Sequence, residues 1–120
     1  MPYADTDFFV ALAMPGDRLG KSATIVYSRY KGNLYTSLVT VIELALIAKR
    51  LDSDVEQLLA SVLSMAKIED ADSAKVLLAA YLIKNKGVGV FDAFHAALCG
   101  GEIISSDHIY DGIGLRRIPI

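Results

Sequence analysis

The sequence predicts an α/β fold, a three-layer α/β/α sandwich around a central, mainly parallel sheet. Short apolar runs suited to buried strands alternate with longer segments of helical periodicity. Apolar residues make up 53% of the 120 residues and the formal net charge is only −2, as is typical of a well-packed globule. No repeat, low-complexity tract or Pro/Gly/Ser linker divides the sequence. We therefore expect one domain over residues 1–120.

The N-terminal segment predicts one strand and two helices. MPYA has the composition of a short buried strand that ends at Asp5. A brief helix through FFVALAM follows and ends at Pro15 and Gly16, which interrupt helical hydrogen bonding. Asp17 can cap a second helix that runs toward Tyr30.

The middle of the chain predicts a second strand and two more helices. LYTS has strand composition, and Ser37 or Thr40 can cap the apolar helix LVTVIELALIAKR, whose basic last turn suits the helix dipole. The letters SDVE, beginning at Ser53, spell a capping box and open the helix DVEQLLASVLSMA. One face of this helix is predicted to be apolar and carries Val55, Leu58, Leu59, Val62 and Leu63.

The last third of the chain predicts two helices and two strands. SAKVLLAAYLIKN is a helix with Asp72 as its cap and Gly87 as its end, and VFDAFHAALC is a helix that stops at Gly100 and Gly101. EIIS has the composition of a buried strand, and LRRIPI that of an edge strand, where Pro119 is tolerated. Strands separated by helices in this way are expected to pair in parallel.

Charge, cysteine content and hydropathy narrow the classes of protein. The mild acidity argues against a protein that coats nucleic acid by bulk charge, but not against a nuclease with an acidic site. Cys99 is the only cysteine, so no intramolecular disulfide can form and a cytoplasmic location is expected. The longest apolar stretch, SLVTVIELALIA, is about half the ~20 residues of a membrane span and contains Glu43.

Four carboxylates occupy unusual positions. Asp5 and Asp107 follow predicted strands, at the sheet edge where ligand crevices form in parallel folds. Glu43 lies in an apolar helix and is expected to be buried, and Asp92 repeats this pattern, although alone it could simply favour its helix dipole. Crowded carboxylates need a compensating cation, and oxygen ligands favour Mg²⁺ or Mn²⁺. The pattern predicts metal-assisted phosphoryl chemistry, as in nucleases or phosphatases.

In this order and spacing, the motifs resemble those of the PIN-domain ribonucleases, particularly the VapC-like toxins of prokaryotic toxin–antitoxin pairs. The resemblance covers essentially the whole chain. ADTDFFVAL resembles the family's opening strand and Asp-Thr-Asn motif, and Glu43 in VTVIELAL matches the glutamate of the second motif. VFDAFHAALCGGEIISSD resembles a helix-opening Asp, a His-Ala-Ala pattern, a glycine break and a strand ending in Ser/Thr-x-Asp, at Asp92, Ser105 and Asp107.

The resemblance implies a PIN-like fold and a Mg²⁺- or Mn²⁺-dependent endoribonuclease, commonly a homodimer, with an RNA substrate and a cognate antitoxin. The implied catalytic and metal-binding residues are Asp5, Glu43, Asp92 and Asp107. The residues implied to support this site are Thr6, Asp7, Ser105 and Asp111. Asp7 stands where the family usually has Asn, so it could orient ligands or bind metal itself. We interpret the Asp5 and Asp7 pair as part of this site rather than as a turn or helix cap.

Two other functions are compatible with parts of the pattern. In a haloacid-dehalogenase-type phosphatase, Asp5 and Asp7 would be nucleophile and general acid, with Asp107 and Asp111 as a metal pair. However, Phe-Phe follows Asp7 instead of Gly-Thr, and that interpretation leaves Glu43 and Asp92 without a role. A non-catalytic PIN-like binding module is the second alternative.

Two further groups of residues have a functional and a structural interpretation. His95 and Cys99 lie four apart on one helical face and could bind zinc with His108, but a packed thiol and a satisfied histidine explain them better. Four basic residues near the second helix could contact an RNA backbone or form only a solvated face: Arg18, Lys21, Arg29 and Lys31.

Overall fold

A computed structural model describes residues 1–120 and confirms the predicted α/β/α fold. Five short strands form one sheet in the order β3-β2-β1-β4-β5, and every neighbouring pair is parallel. The strands are β1 Tyr3–Ala4, β2 Tyr35–Ser37, β3 Lys67–Glu69, β4 Glu102–Ile104 and β5 Arg116–Ile118. The helices are α1 Thr6–Ala13, α2 Gly20–Tyr30, α3 Leu38–Arg50, α4 Val55–Met65, α5 Ser73–Lys86 and α6 Val90–Leu98.

The two faces of the sheet carry separate hydrophobic cores. Successive side chains of a strand point to opposite faces. Tyr3 accordingly packs with residues of α5 and α6, whereas Ala4 packs with residues of α1, α2 and α4. None of the helices is long and apolar enough to cross a membrane.

Local capping signals placed several helices correctly. α3 spans the predicted letters LVTVIELALIAKR, but its predicted caps are wrong: Ser37 precedes the helix without a capping hydrogen bond, because its hydroxyl contacts Tyr3, and Thr40 lies inside the helix. β5 is the predicted edge strand. The Asp72 carboxylate accepts a hydrogen bond from the Lys75 backbone N–H at 2.9 Å and so caps α5. The helix ends at Gly87, whose φ of +65° is the left-handed conformation that glycine adopts without strain.

Other boundaries differ from the prediction by a few residues. α2 begins at Gly20 instead of directly after Asp17, because the Asp17 carboxylate accepts a hydrogen bond from Leu19 N–H in the preceding turn. The cap of α4 is Asp54, which accepts from Gln57 N–H at 3.0 Å, and Ser53 makes no such bond.

Strand β3 was not predicted, and the apolar face of α4 was predicted too wide. β3 is an edge strand, Lys67–Glu69, with all three residues exposed, so it carries no apolar run that would mark a buried strand. On α4, Val62 is fully buried, whereas the neighbouring Leu63 is 62% exposed. The buried stripe of this helix is therefore narrower than its apolar sequence.

The strand order places the predicted acids at one edge of the sheet. From β1 the chain winds outward to β2 and β3 and then returns to the other side of β1 to form β4 and β5. The gap beyond β1 and β4 is thus the switch point at which open α/β sheets bind ligands. Asp5 directly follows β1, and Ser105 directly follows β4.

Candidate active site

Asp5 links strand β1 to helix α1 and has a fixed carboxylate. Its Oδ1 accepts a hydrogen bond from Thr6 N–H at 2.7 Å, and its Oδ2 accepts one from the Ser105 hydroxyl at 2.7 Å. The prediction that this residue is not a helix cap is therefore wrong, because a helix that starts one residue after a strand leaves its first N–H groups to the strand-end side chain. A carboxylate has further acceptor sites, so capping leaves it free to bind a cation.

Glu43 reaches Asp5 from helix α3. Its Oε1 accepts a hydrogen bond from the Thr6 hydroxyl at 2.8 Å and another from His95 Nε2. The side chain is 23% exposed, so the expectation that it is buried is wrong. The reason is that α3 is only half covered, and its residues Ile42 and Leu46 on either side of Glu43 also lie exposed.

His95 completes a compact group that we call the central cluster, consisting of Asp5, Glu43 and His95. The imidazole is 1% exposed, and its Nε2 lies 3.4 Å from Asp5 Oδ1. One potential ligand atom from each of the three residues lies within 4.8 Å of the others. The sequence pattern indicated only a satisfied core histidine. Its position three residues after Asp92, on the same side of helix α6, was the available signal.

The charges in the central cluster strongly influence one another. Burial raises the pKa of Asp5 from 3.8 to about 6, and His95 opposes this rise while Asp7 adds to it. Burial also works against the charge of Glu43, but hydrogen bonds from His95 and Thr6 outweigh it and lower the pKa. For His95, burial favours the neutral form, yet Glu43 and Asp5 outweigh it and raise the pKa. Negative charge here is costly unless a cation offsets it.

Asp92 and Asp107 flank the central cluster. Asp92, in the first turn of α6, accepts a hydrogen bond from the buried Tyr110 hydroxyl at 3.3 Å. Burial raises the pKa of Asp92, and the neighbouring charges of Asp107 and Glu43 add to this rise. Asp107 itself is exposed, and its carboxylate accepts from Ile109 N–H at 3.0 Å. The fold therefore brings acids from four separate segments to one edge of the sheet.

Asp7 ties helix α1 to the segment after β4. Its Oδ2 accepts hydrogen bonds from the Ser106 backbone N–H, at 2.9 Å, and from the Ser106 hydroxyl. Its Oδ1 is buried and has no hydrogen-bond partner. A buried acceptor without a partner is costly, so this oxygen is a candidate to face a cation or a water molecule.

Asp111 and the four basic residues named from the sequence lie outside the central cluster. Asp111 is exposed and pairs with Arg117 Nε at 3.1 Å and with His108 Nδ1 at 3.0 Å, and these two partners lower its pKa. Arg117 also donates to the Ser105 carbonyl at 3.1 Å, so Asp111 supports the segment that carries Ser105 instead of facing the central cluster. Four basic side chains are exposed and form no ion pair: Arg18, Lys21, Arg29 and Lys31.

A zinc site of His95, Cys99 and His108 does not form. The buried Cys99 thiol donates to the Ala96 carbonyl at 3.2 Å, and His108 lies exposed beside Asp111. Cys99 is thus a packed core thiol, as the sequence indicated.

An apolar groove lies along the C-terminal half of α1, away from Asp5. It has a volume of about 600 Å³ and is enclosed by α1, α3 and α4. Phe9 and Leu44 form part of its floor, Leu58 and Met65 line the α4 side, and polar Asp54 and Gln57 stand among the lining residues. Its apolar lining suits a hydrophobic side chain or segment rather than a phosphate.

Comparisons with known proteins relate the whole fold to one family. The family model for the PIN domain matches residues 3–113. The structure is similar to that of VapC20 from Mycobacterium tuberculosis, described as a sarcin-ricin loop cleaving toxin, with a TM-score of 0.82, 17% identity and 98% of each chain covered. No curated protein matches the sequence.

Two further solved structures are toxin–antitoxin complexes. One, from Klebsiella pneumoniae, has a TM-score of 0.71 and 20% identity and covers 91% of this chain and 88% of its own. The other, DNA-bound VapBC from Salmonella typhimurium, has a TM-score of 0.70 and 20% identity and covers 98% of this chain and 96% of its own. The match to the PIN-domain model favours a nuclease over the haloacid-dehalogenase alternative.

Proposed function

This chain belongs to the PIN-domain family, a family of nucleases, and we propose that it is a Mg²⁺- or Mn²⁺-dependent endoribonuclease, the toxin of a VapBC-like toxin–antitoxin pair. One observation carries the proposal: carboxylate oxygens of Asp5 and Glu43 lie within 4.8 Å of each other at the switch point of the sheet. Such a pair is unfavourable unless a cation lies between or beside the two groups.

The donor set fits a hard divalent cation. Asp5, Glu43, Asp92 and Asp107 offer only carboxylate oxygens, which suit Mg²⁺ or Mn²⁺. Burial raises the pKa of Asp5 to about 6, and Asp7 Oδ1 is buried without a partner, so a cation would stabilise the charge of the one and satisfy the other. We assign the ion to Asp5, Glu43, Asp92 and Asp107, with Asp7 as support.

The protein's contribution to catalysis is to fix the carboxylates before RNA arrives. When bound, a divalent ion offsets phosphate charge and makes a water molecule more acidic. Thr6 N–H and Ser105 hold Asp5, Thr6 and His95 hold Glu43, and Tyr110 holds Asp92. Side chains held in this way need little reorganisation during the reaction, which is the main source of electrostatic catalysis.

Chelation should abolish RNA cleavage. We expect EDTA to lower the rate by at least about 100-fold, because without an ion the carboxylates only repel the phosphodiester. Excess Mn²⁺ or Mg²⁺ should restore it. The rate is measured with a fluorescently labelled single-stranded RNA on a denaturing gel. Glu43→Gln protein purified in parallel controls for contaminating ribonuclease. Equal cleavage with and without EDTA would contradict the metal mechanism, and no cleavage under any condition would favour the non-catalytic binding module.

The apolar groove between α1, α3 and α4 supports an antitoxin partner. Soluble proteins expose few large apolar patches unless a partner covers them, and amphipathic helices bind in such grooves. α1 lines the groove with residues of its C-terminal half, so an antitoxin segment in the groove would contact the helix that Asp5 caps, at the end away from the carboxylates.

A second apolar surface supports a homodimer. Leu38, Ile42 and Leu46 recur every four residues along α3 and are 60%, 46% and 49% exposed, which places them on one helical stripe. An apolar stripe of this kind in an obligate interface would be covered by the partner.

The cytoplasmic location of the toxin and its antitoxin also stays a prediction.

Assembly can be tested by sedimentation equilibrium. We expect the chain alone to sediment as a dimer. The Ile42→Glu variant, which places a charge in the middle of the stripe, should sediment as a monomer. Co-expression with the product of a short neighbouring gene should give a stable complex with little RNA cleavage. A monomeric wild-type chain would contradict the homodimer. Full cleavage activity in a stable complex would contradict inhibition by the antitoxin.

A further inference from the structure

A buried series of hydroxyl and imidazole groups ends at Glu43. Ser37 Oγ lies 2.6 Å from Tyr3 Oη, Tyr3 Oη lies 2.8 Å from His95 Nδ1, and His95 Nε2 contacts Glu43 Oε1. Ser37, Tyr3 and His95 are each at most 2% exposed. We call these three residues the buried relay. It joins strand β1, the end of β2 and helix α6, and it shares His95 with the central cluster.

The contact with Glu43 fixes the position of one hydrogen on His95. An ionised carboxylate only accepts hydrogen bonds, so the contact with Glu43 requires a hydrogen on His95 Nε2. In the neutral imidazole Nδ1 is then an acceptor for the Tyr3 hydroxyl, whereas a protonated imidazole donates from Nδ1 to the Tyr3 oxygen. The Tyr3 oxygen in turn accepts from the Ser37 hydroxyl. This arrangement satisfies every polar atom of the series and leaves no lone pair on Nε2 for a metal ion.

We propose that Tyr3 and His95 are positioning residues that hold the Glu43 carboxylate toward the metal ion beside Asp5, and that His95 is not itself a ligand. The inference rests on the proposed function. Glu43 needs such support because it stands on a half-exposed helix surface, where a long side chain samples several rotamers. Thr6 supplies one hydrogen bond and His95 the other, and both act on the same oxygen, Oε1. Oε2 is left to bind the ion.

Removing one hydroxyl group tests the relay. In Tyr3→Phe the ring stays but the Nδ1 partner is lost, so the imidazole can rotate or change tautomer. We expect Mn²⁺ affinity, measured by EPR of free Mn²⁺ without RNA, to fall about 10-fold, as for other groups that orient ligands. With RNA, kcat should fall at a fixed Mn²⁺ concentration while KM for RNA stays unchanged.

Tyr35→Phe is a matched control. The Tyr35 ring packs edge to face against Tyr3 at 5.3 Å, but its hydroxyl donates to the Leu98 carbonyl, outside the relay. Mn²⁺ affinity should stay within about twofold. His95→Gln, which keeps an N–H donor, should retain more affinity than His95→Leu. Circular dichroism checks folding, and Ser37→Ala replaces Tyr3→Phe if that variant does not fold.

Each outcome decides between clear alternatives. Unchanged Mn²⁺ affinity in Tyr3→Phe and Ser37→Ala, beside a wild-type chain that binds Mn²⁺, would overturn the relay alone. A strong directly bound ¹⁴N coupling in pulsed EPR of the Mn²⁺ complex would show that His95 is a ligand and would also overturn it. A wild-type chain that binds no Mn²⁺ would overturn the proposed metal mechanism together with the relay.

Discussion

Asp5→Asn should lower the rate of RNA cleavage by at least about 100-fold, whereas Asp7→Asn should keep it within about fivefold. Both substitutions remove one negative charge with almost no change in shape, at positions two residues apart. They differ in what the carboxylate contacts. Asp5 lies in the central cluster beside Glu43 and His95, whereas the paired oxygen of Asp7 faces Ser106.

Both variants are expected to fold, which isolates the effect of charge. In Asp5→Asn the amide oxygen still accepts from Thr6 N–H, and the amide nitrogen can donate to the Ser105 oxygen. In Asp7→Asn the amide oxygen still accepts from Ser106. Cleavage is measured under single-turnover conditions with Mn²⁺, after thermal melts of each protein. Equal losses would identify Asp7 as a ligand of the same rank, and an active Asp5→Asn protein would refute the assignment of Asp5.

The metal-free protein should lose stability as the pH rises from about 4 to about 6, and Mn²⁺ should restore it at neutral pH. Folded Asp5 has a pKa of about 6 against an ordinary value of 3.8. Between these values the folded state holds a proton that the unfolded state has lost, so stability falls with pH. The rise corresponds to at most about 3 kcal/mol.

The other titratable groups of the site also contribute to the pH dependence of stability. Asp92 and His95 also have raised pKa values, so their contributions to folding stability likewise fall as the pH rises. The contribution of His95 is lost as the pH rises above 6.5, the ordinary pKa of histidine. Glu43 has a lowered pKa, so its contribution to folding stability changes with pH in the opposite direction. That contribution is lost only as the pH falls below 4.5, the ordinary pKa of glutamate. The interval from about pH 5 to about pH 7 therefore reports mainly on Asp5 and Asp92, and the loss from His95 begins only at its upper end.

Thermal melts in EDTA and in millimolar Mn²⁺ measure this effect. In EDTA we expect the midpoint to be about 5–10 °C lower at about pH 7 than at about pH 5, and Mn²⁺ to raise it only at the higher pH. Asp5→Asn should flatten the pH dependence and weaken the response to Mn²⁺, because the buried charge is gone. A midpoint in EDTA that rises over this interval would contradict the electrostatic account of the site.

Much of the fold was predictable because its signals are local. Asp72 and Gly87 mark the ends of α5 through hydrogen bonds and backbone conformation within a few residues. Strand β3 was missed because its charged, exposed residues pair with β2 only by backbone hydrogen bonds. The burial of Val62 and the exposure of Leu63 likewise depend on which helix face meets the rest of the protein.

The fold class and the set of acids could be identified from the sequence alone, because strand and helix patterns are local and carboxylates in apolar segments stand out. How these acids are held became visible only in three dimensions. Tyr3 and His95 lie 92 positions apart, yet they hydrogen-bond beneath the carboxylates, because β1 pairs directly with β4 and α6 packs close to them. Likewise, Asp5 is both a helix cap and a candidate ligand, since the chain passes from β1 into α1 at that residue.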